Sequence, residues 1–123
     1  MSLAWTKQSR IRKSREFRVV QKYGQKWKST DFLFIFLGSK RQQSQPRVGL
    51  IASKKVGNAV VRNMVKRRLR EACRKKILTI ESATDIVIVA FSSASTLSQK
   101  SVEQQVSKAF KLIQSKTKKS SVG

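Results

Sequence analysis

Apolar residues recur along the chain with two different periods, and the switches between them outline its elements. After Gly57 the period is helical. Stepping 100° per residue gathers Val61, Met64, Val65, Leu69, Ala72 and Cys73 on one side and Asn63, Lys66, Arg67, Arg70 and Arg74 on the other. Two arginines cross the division. Arg62 lies in the first turn, where a long side chain reaches past the end of a core, and Arg68 sits at the stripe's edge beside Met64, from which it can snorkel to water. Gly57-Asn58 suits the entry, because Asn caps a helix well and a preceding Gly lets the backbone turn. The pattern predicts a helix running to about Ile80. A shorter helix is predicted from Ser14, as cap, to a stop at Gly24, with Phe17 and Val20 on a shared face. A third begins at Ser98 or Ser101 and runs to Gln114. Its stripe is Val102, Val106, Ala109, Phe110 and Ile113, and Ser101-Val102-Glu103-Gln104 reads as a capping box.

The second period is that of strands. In Lys26 to Leu37, Phe32, Phe34 and Phe36 alternate with Leu33, Ile35 and Leu37, so both faces are apolar and the strand belongs in the middle of a sheet. Whether this stretch holds one bent strand or two is open. Gly38 to Pro46 reads as a polar loop, Arg47 to Ser53 as a second strand, which a hairpin relation to the first would pair antiparallel, and Asp85 to Phe91 as another buried strand. A strand, the basic helix and a strand in that order predict a parallel pair joined by a crossover. The expected class is α+β, a two-layer sandwich of a mixed, mostly antiparallel sheet with helices. Residues 1–13 are expected as a basic flexible arm, 14–115 as a single domain and 116–123 as a disordered basic tail.

Charge changes this picture. The chain carries 28 Lys and Arg against 6 Asp and Glu, a net charge of +22. Nine cations lie in residues 1–28 and ten in 54–76, so no tail accounts for the total and the folded body itself is cationic. Between Ser53 and Lys76 the one acid is Glu71, for which Arg67, Arg68, Arg74 and Lys75 compete. A solvated charged face normally mixes signs in i,i+4 pairs. A face this unbalanced repels itself and points to a polyanion, with nucleic acid first. A membrane surface fits less well, since the apolar side of this helix carries no Trp or Phe.

Other chemistry is thin. There is no His, which removes the commonest general base, and the six acids are scattered without paired or metal-binding spacing. The single cysteine, Cys73, excludes an intramolecular disulfide, suits a reducing compartment and reads as a small buried hydrophobe.

The residues Arg47-Val48-Gly49-Leu50, then Ser53-Lys54-Lys55-Val56-Gly57-Asn58-Ala59-Val60-Val61-Arg62-Asn63, Val65-Lys66-Arg67 and Leu69-Arg70-Glu71-Ala72, resemble the signature of the bacterial ribonuclease P protein component. Arg10, Arg12, Lys13 and Ser14, followed by Glu16-Phe17-Arg18, look like that family's N-terminal segment, and the resemblance spans about Arg10 to Ile113. It implies a protein subunit that binds ribonuclease P RNA and the 5′ leader of precursor tRNA, in an endoribonuclease whose RNA carries the chemistry and the magnesium. No protein catalytic residue, no cofactor bound by the protein alone, no further protein partner and no membrane are then expected, and the location is cytoplasmic. The family's fold implies a left-handed βαβ crossover, against the usual rule.

Carried over residue by residue, Lys54, Lys55, Arg62, Asn63, Lys66, Arg67 and Arg70 would contact the RNA subunit. Arg12, Lys13, Phe17, Gln21, Phe34 and Phe36 would serve the leader. Phe17 reads equally as a core residue or a stacking platform. Phe34 and Phe36 depend on a register that the sequence does not fix. Two positions depart from the family's pattern. Met64 stands where Arg usually follows Arg-Asn, with Arg68 one turn on as its candidate substitute, and Gln21 stands where a second aromatic is common. A small basic ribosomal protein is the main rival reading, and it needs no single-strand cleft. A protein that itself hydrolyses RNA, or a DNA-binding module, fits less well.

Overall fold

The apolar strands assemble where their two-sided patterns require. The computed structural model describes residues 9–38 and 45–122, with side chains as far as Thr117. The chain runs through helix α1 (Ser14–Tyr23), strands β1 (Gln25–Lys28), β2 (Phe32–Gly38) and β3 (Arg47–Ile51), helix α2 (Ala59–Lys76), strand β4 (Thr84–Ala90) and helix α3 (Gln99–Val122). Lys26 to Leu37 is therefore two strands. Ser29 closes the turn between them, its amide donating to the Phe32 carbonyl at 2.8 Å.

The sheet order is β1-β2-β4-β3. β1 and β2 pair antiparallel, as do β2 and β4, whereas β3 and β4 are parallel and joined through α2. β2 and β3 do not form a hairpin, because β4 lies between them. β4 is apolar on both sides, and the central place buries both.

Each face of the sheet carries its own core. On one, Phe32, Phe34, Phe36, Val48, Ile86 and Ile88 meet Val65, Leu69, Ala72 and Cys73 of α2 and Val102, Val106, Phe110 and Ile113 of α3. Fully burying side chains of this size is worth roughly 1.5–3 kcal/mol each. On the other face, Ile35 and Val87 meet Val20 of α1 and Ile11, with Phe17, Leu33, Leu37, Ile51 and Val89 partly covered. The α+β sandwich thus takes α2 and α3 on one side and the shorter α1 on the other.

The last residues of the expected arm are placed against the sheet, and α3 extends into the stretch expected as a tail. Residues 1–8 of the expected arm, and most of the loop expected at Gly38 to Pro46, lie outside the described residues. Ser9 and Ile11, however, are buried, and the Ile11 amide donates to the Val48 carbonyl at 3.0 Å, which covers part of the free edge of β3. At the other end α3 continues through Val122, where a disordered tail was expected from 116. Thr117 Oγ1 donates back to the Ile113 carbonyl at 2.9 Å, as in an unbroken helix. No helix among the described residues is long and apolar enough to cross a membrane.

Candidate RNA-binding surfaces

The first surface is the outer side of α2. Its start is fixed by Gly57, at φ +155°, where a Cβ would stand 2.8 Å from the Cβ of Val61. Asn58 then caps the helix, its side-chain oxygen accepting from the Val61 amide at 3.0 Å. From this entry Lys54, Lys55, Asn63, Arg67 and Arg70 are exposed, and Arg62 and Lys66 are half-buried.

The charges around this surface are left unbalanced by design of the acids. All six carboxylates are engaged within the fold. Arg47 donates from Nε and Nη2 to Asp85 at 3.0 and 2.9 Å and from Nη1 to Glu16 at 3.0 Å. Arg74 pairs with Glu71, and Lys75 reaches Glu103 at 2.9 Å. Asp31 accepts from Gln105 and Glu81 from Gln114. The Arg74 hydrogen bond holds the Glu71 carboxyl below its ordinary value, and the Lys75 bond does the same for Glu103. Among the described residues no carboxylate pairs with Lys54, Lys55, Arg62, Lys66, Arg67 or Arg70. Arg62 Nε is buried without a hydrogen-bond partner, and so is Nε of Arg10, which bridges to Val48 at the edge of β3. A buried donor without an acceptor is costly, and a phosphate oxygen would satisfy it. Arg10 was not singled out as a candidate from the sequence; its place beside β3 makes it one.

Met64 and Arg68 lie elsewhere. Met64 packs against the main core. Arg68 Nη1 donates to the Leu97 carbonyl, and the Arg68 carbonyl accepts from Gln99 Nε2 at 3.0 Å. Arg68 therefore ties α2 to the segment leading into α3 and does not replace an arginine at position 64.

The second surface lies between α1 and the sheet. Sheet parity assigns its floor. Phe34 pairs across with Trp27 and Ile88, and all three point toward α2 and α3. Phe34 and Phe36 are 0% and 3% exposed in that core. They are thus removed from the cleft, because the longer helices take the Phe face of β2 and leave the Leu33–Ile35–Leu37 face to α1. Phe17 does lie there. A Cβ on Gly49 would fall 2.4 Å from Phe17 Cε1, so the ring rests directly on the β3 backbone where a side chain is missing. The Glu16–Arg47 pair sets the rotation of α1. Glu16 faces the Arg47–Asp85 row, which turns Ser14, Gln21 and Arg18 toward the opposite row, Lys28–Leu33–Val89–Ile51. Leu33, Ile51 and Val89 are half-buried there, and Lys28 Nζ stands 5.6 Å from the Phe91 ring centroid at the row's end. Gln21, Arg12 and Lys13 are exposed at the helix. Leu33, Val89, Lys28 and Phe91 were not picked out from the sequence, since both strand faces are apolar and nothing local distinguishes them.

The described residues bring no three His, Cys, Asp or Glu side chains together. Cys73 is fully buried, and burial pushes its thiol well up, away from the reactive thiolate.

Comparison with known proteins places this arrangement. A family model described as Ribonuclease P matches residues 5–114. The chain is 37% identical over 105 residues to a ribonuclease P protein component of Exiguobacterium sibiricum, covering 85% of this chain and 90% of that protein. Its fold is similar to that of the RNase P protein of Staphylococcus aureus (TM-score 0.77, 28% identity, 85% of this chain and 94% of that one). It is also similar to the RNase P protein of Thermotoga maritima (TM-score 0.74, 25% identity, 83% and 94%). The chain belongs to the ribonuclease P protein component family, whose members are RNA-binding subunits of a ribonucleoprotein in tRNA processing.

Proposed function

We propose that this chain binds a catalytic ribonuclease P RNA through the outer side of α2 and the 5′ leader of precursor tRNA through the cleft beside α1. The observation that carries this reading is the distribution of charge. Every acid is engaged internally, while the cations from Lys54 to Arg70 have no carboxylate partner among the described residues. Arg62, Asn63, Lys66, Arg67 and Arg70, with Lys54, Lys55 and Arg10, take phosphates and ribose of the RNA subunit. Phe17 stacks a leader base, and Gln21 hydrogen-bonds a base or sugar. Arg12, Lys13 and Lys28 hold backbone phosphates around a floor of Leu33 and Val89. Stacking and phosphate contacts tolerate any base, which suits leaders of differing sequence. In this division the RNA cuts the phosphodiester and holds the magnesium, and the protein raises affinity for the leader-bearing substrate. A buried, unreactive Cys73 fits a reducing cytoplasm.

The test is a cleavage assay at low magnesium with a bacterial ribonuclease P RNA, with and without this protein. Cleavage at the mature 5′ end only when both are present is expected. Tight RNA binding that never supports cleavage would move the chain to the structural RNA-binding class, and cleavage by protein alone would overturn the division of labour. Arg67→Ala should make the salt dependence of RNA-subunit binding shallower by about one phosphate contact.

A further inference from the structure

We propose that the groove between the C-terminal end of α2 and the first half of α3 is a second RNA-backbone site, separate from the outer side of α2 and from the leader cleft. Lys76, Lys100, Lys108 and Lys111 line it, with Gln104 and Ser107 between them and Glu103 at one wall. Its volume is about 430 Å³.

The walls are held together. Lys75 of α2 donates to Glu103 of α3 at 2.9 Å, and Gln99 Nε2 donates to the same carboxylate at 3.1 Å. Lys75 thereby takes the groove's one acid, on which the charge of Lys76 also acts, and leaves Lys100, Lys108 and Lys111 without a carboxylate partner among the described residues. Lys100, Gln104, Lys108 and Lys111 follow at i, i+4, i+8 and i+11, one stripe of α3 roughly 16 Å long at 1.5 Å per residue. That length matches a run of backbone phosphates.

The occupant follows from what the groove lacks. All seven lining side chains are polar or charged, and four are lysines. The centres of protein–protein interfaces are apolar and aromatic and are depleted in lysine. Lysine ammonium groups interleaved with an amide and a hydroxyl suit phosphate and ribose oxygens, read without base specificity. The groove opens beside α2 and α3, on the opposite side of the sheet from the α1 cleft, so it can be filled while a leader is bound. Lys76 also stands nine residues beyond Arg67, about 14 Å along α2 and on the opposite side of that helix. The groove therefore meets a different stretch of the RNA subunit from the one that Arg62 and Arg67 meet.

This inference rests on the RNA-subunit reading, and the experiment separates the two. A K100Q/K108Q/K111Q variant keeps helix-forming side chains and removes three charges. Its binding to a ribonuclease P RNA would be followed against salt, beside the wild type and Arg67→Ala, with backbone protection mapped by hydroxyl-radical footprinting. The expected result is a log–log salt slope shallower by about 2 to 3. One protected RNA segment should also be lost that Arg67→Ala retains. An unchanged slope and an unchanged footprint in a variant that still binds would overturn the groove site and leave the α2 surface standing, including if the groove proved to take an acidic protein. Failure of the wild type to bind the RNA would overturn the broader reading instead.

Discussion

Substituting Gly49 by Ala tests the seat of Phe17 and, with it, the cleft. The added Cβ would lie 2.4 and 2.6 Å from Phe17 Cε1 and Cζ and 3.2 Å from the Cβ of Ile11. Ordinary carbon contacts lie near 3.5–4.0 Å, so the ring has to retreat by about 1 Å or more. It has little room to do so. Ile11 is buried beside it, and α1 is pinned by the Glu16–Arg47 pair at 3.0 Å. Overpacking of this kind costs about 1–3 kcal/mol. Removing the ring removes the two shortest contacts and leaves the 3.2 Å approach to Ile11, which a shift of a few tenths of an ångström relieves, and Ala in a strand is by itself slightly favourable over Gly. G49A in a Phe17→Ala background should therefore be neutral or stabilising by up to about 1 kcal/mol. The double-mutant coupling is then about 1–4 kcal/mol. Urea unfolding of the four proteins, with the midpoint shift read at constant slope, measures it. The same G49A protein, where folded, should lose affinity for leader-bearing precursor tRNA and keep its affinity for mature tRNA. Equal destabilisation by G49A with and without Phe17 would refute the contact, and equal losses on both tRNAs would return Phe17 to a purely packing role.

Three further outcomes separate the other roles. Phe34→Ala should cost about 3–5 kcal/mol of stability, measured by urea unfolding, without changing the preference for leader-bearing substrate below its melting point. Arg68→Ala should lower stability by breaking the tie to Leu97 yet leave the salt slope of RNA binding at the wild-type value, in contrast to Arg67→Ala. Acidification should weaken the fold. Desolvation pushes the Glu16 carboxyl up, but the hydrogen bond and charge of Arg47 outweigh it, and Arg74 and Lys75 hold Glu71 and Glu103 down. A depressed folded value means stability that is fully present above the unfolded value of about 4.3 and lost as pH falls below it. The urea midpoint should thus hold from pH 7 to about 5 and drop toward pH 3.5, and E16Q/E71Q/E103Q should show a smaller drop.

The helical period after Gly57, the cationic side of α2, the strands and the αβ order were readable from the sequence because each is a local pattern. What was not readable depended on tertiary choices. Phe32, Phe34 and Phe36 alternate with Leu33, Ile35 and Leu37, both sets apolar, so nothing in the strand states which set faces the long helices. That choice put Phe34 and Phe36 in the main core and left Leu33 for the cleft. The position of β4 between β2 and β3 required knowing where the crossover lands. Ser9 and Ile11 are too few to make a period, and they are ordered by a neighbour, the edge of β3. The last turns of α3 carry no apolar stripe after Ile113, so they read as coil, although the helix that precedes them carries them on to Val122. Arg68 reads from the sequence as a candidate substitute for an arginine at position 64, because its partner is a backbone carbonyl 29 residues away, which no charge pattern records.

The placement of the acids has a consequence for the free protein. Glu16 and Asp85 tie α1 to the sheet through Arg47, Glu103 ties α3 to α2 through Lys75, and Asp31 ties the β1–β2 turn to α3 through Gln105. Most of the few negative charges are therefore spent joining elements, and a net +22 remains to repel itself in the compact state. Any polyanion that binds only the folded form offsets that repulsion by mass action, by about 2.7 kcal/mol at a hundred times its Kd. For a chain of this size that corresponds to a melting point raised by roughly 10 °C. A short single-stranded oligonucleotide at micromolar concentration is the right probe, since it is too dilute to act as a general stabilising salt. Its effect should shrink in an Arg62→Ala/Arg67→Ala protein and fade as sodium chloride is raised. An oligonucleotide that binds but leaves the melting point unchanged would mean that the unfolded chain, equally cationic, takes it just as well, and the fold would then contribute no arrangement of charge that the sequence alone lacks.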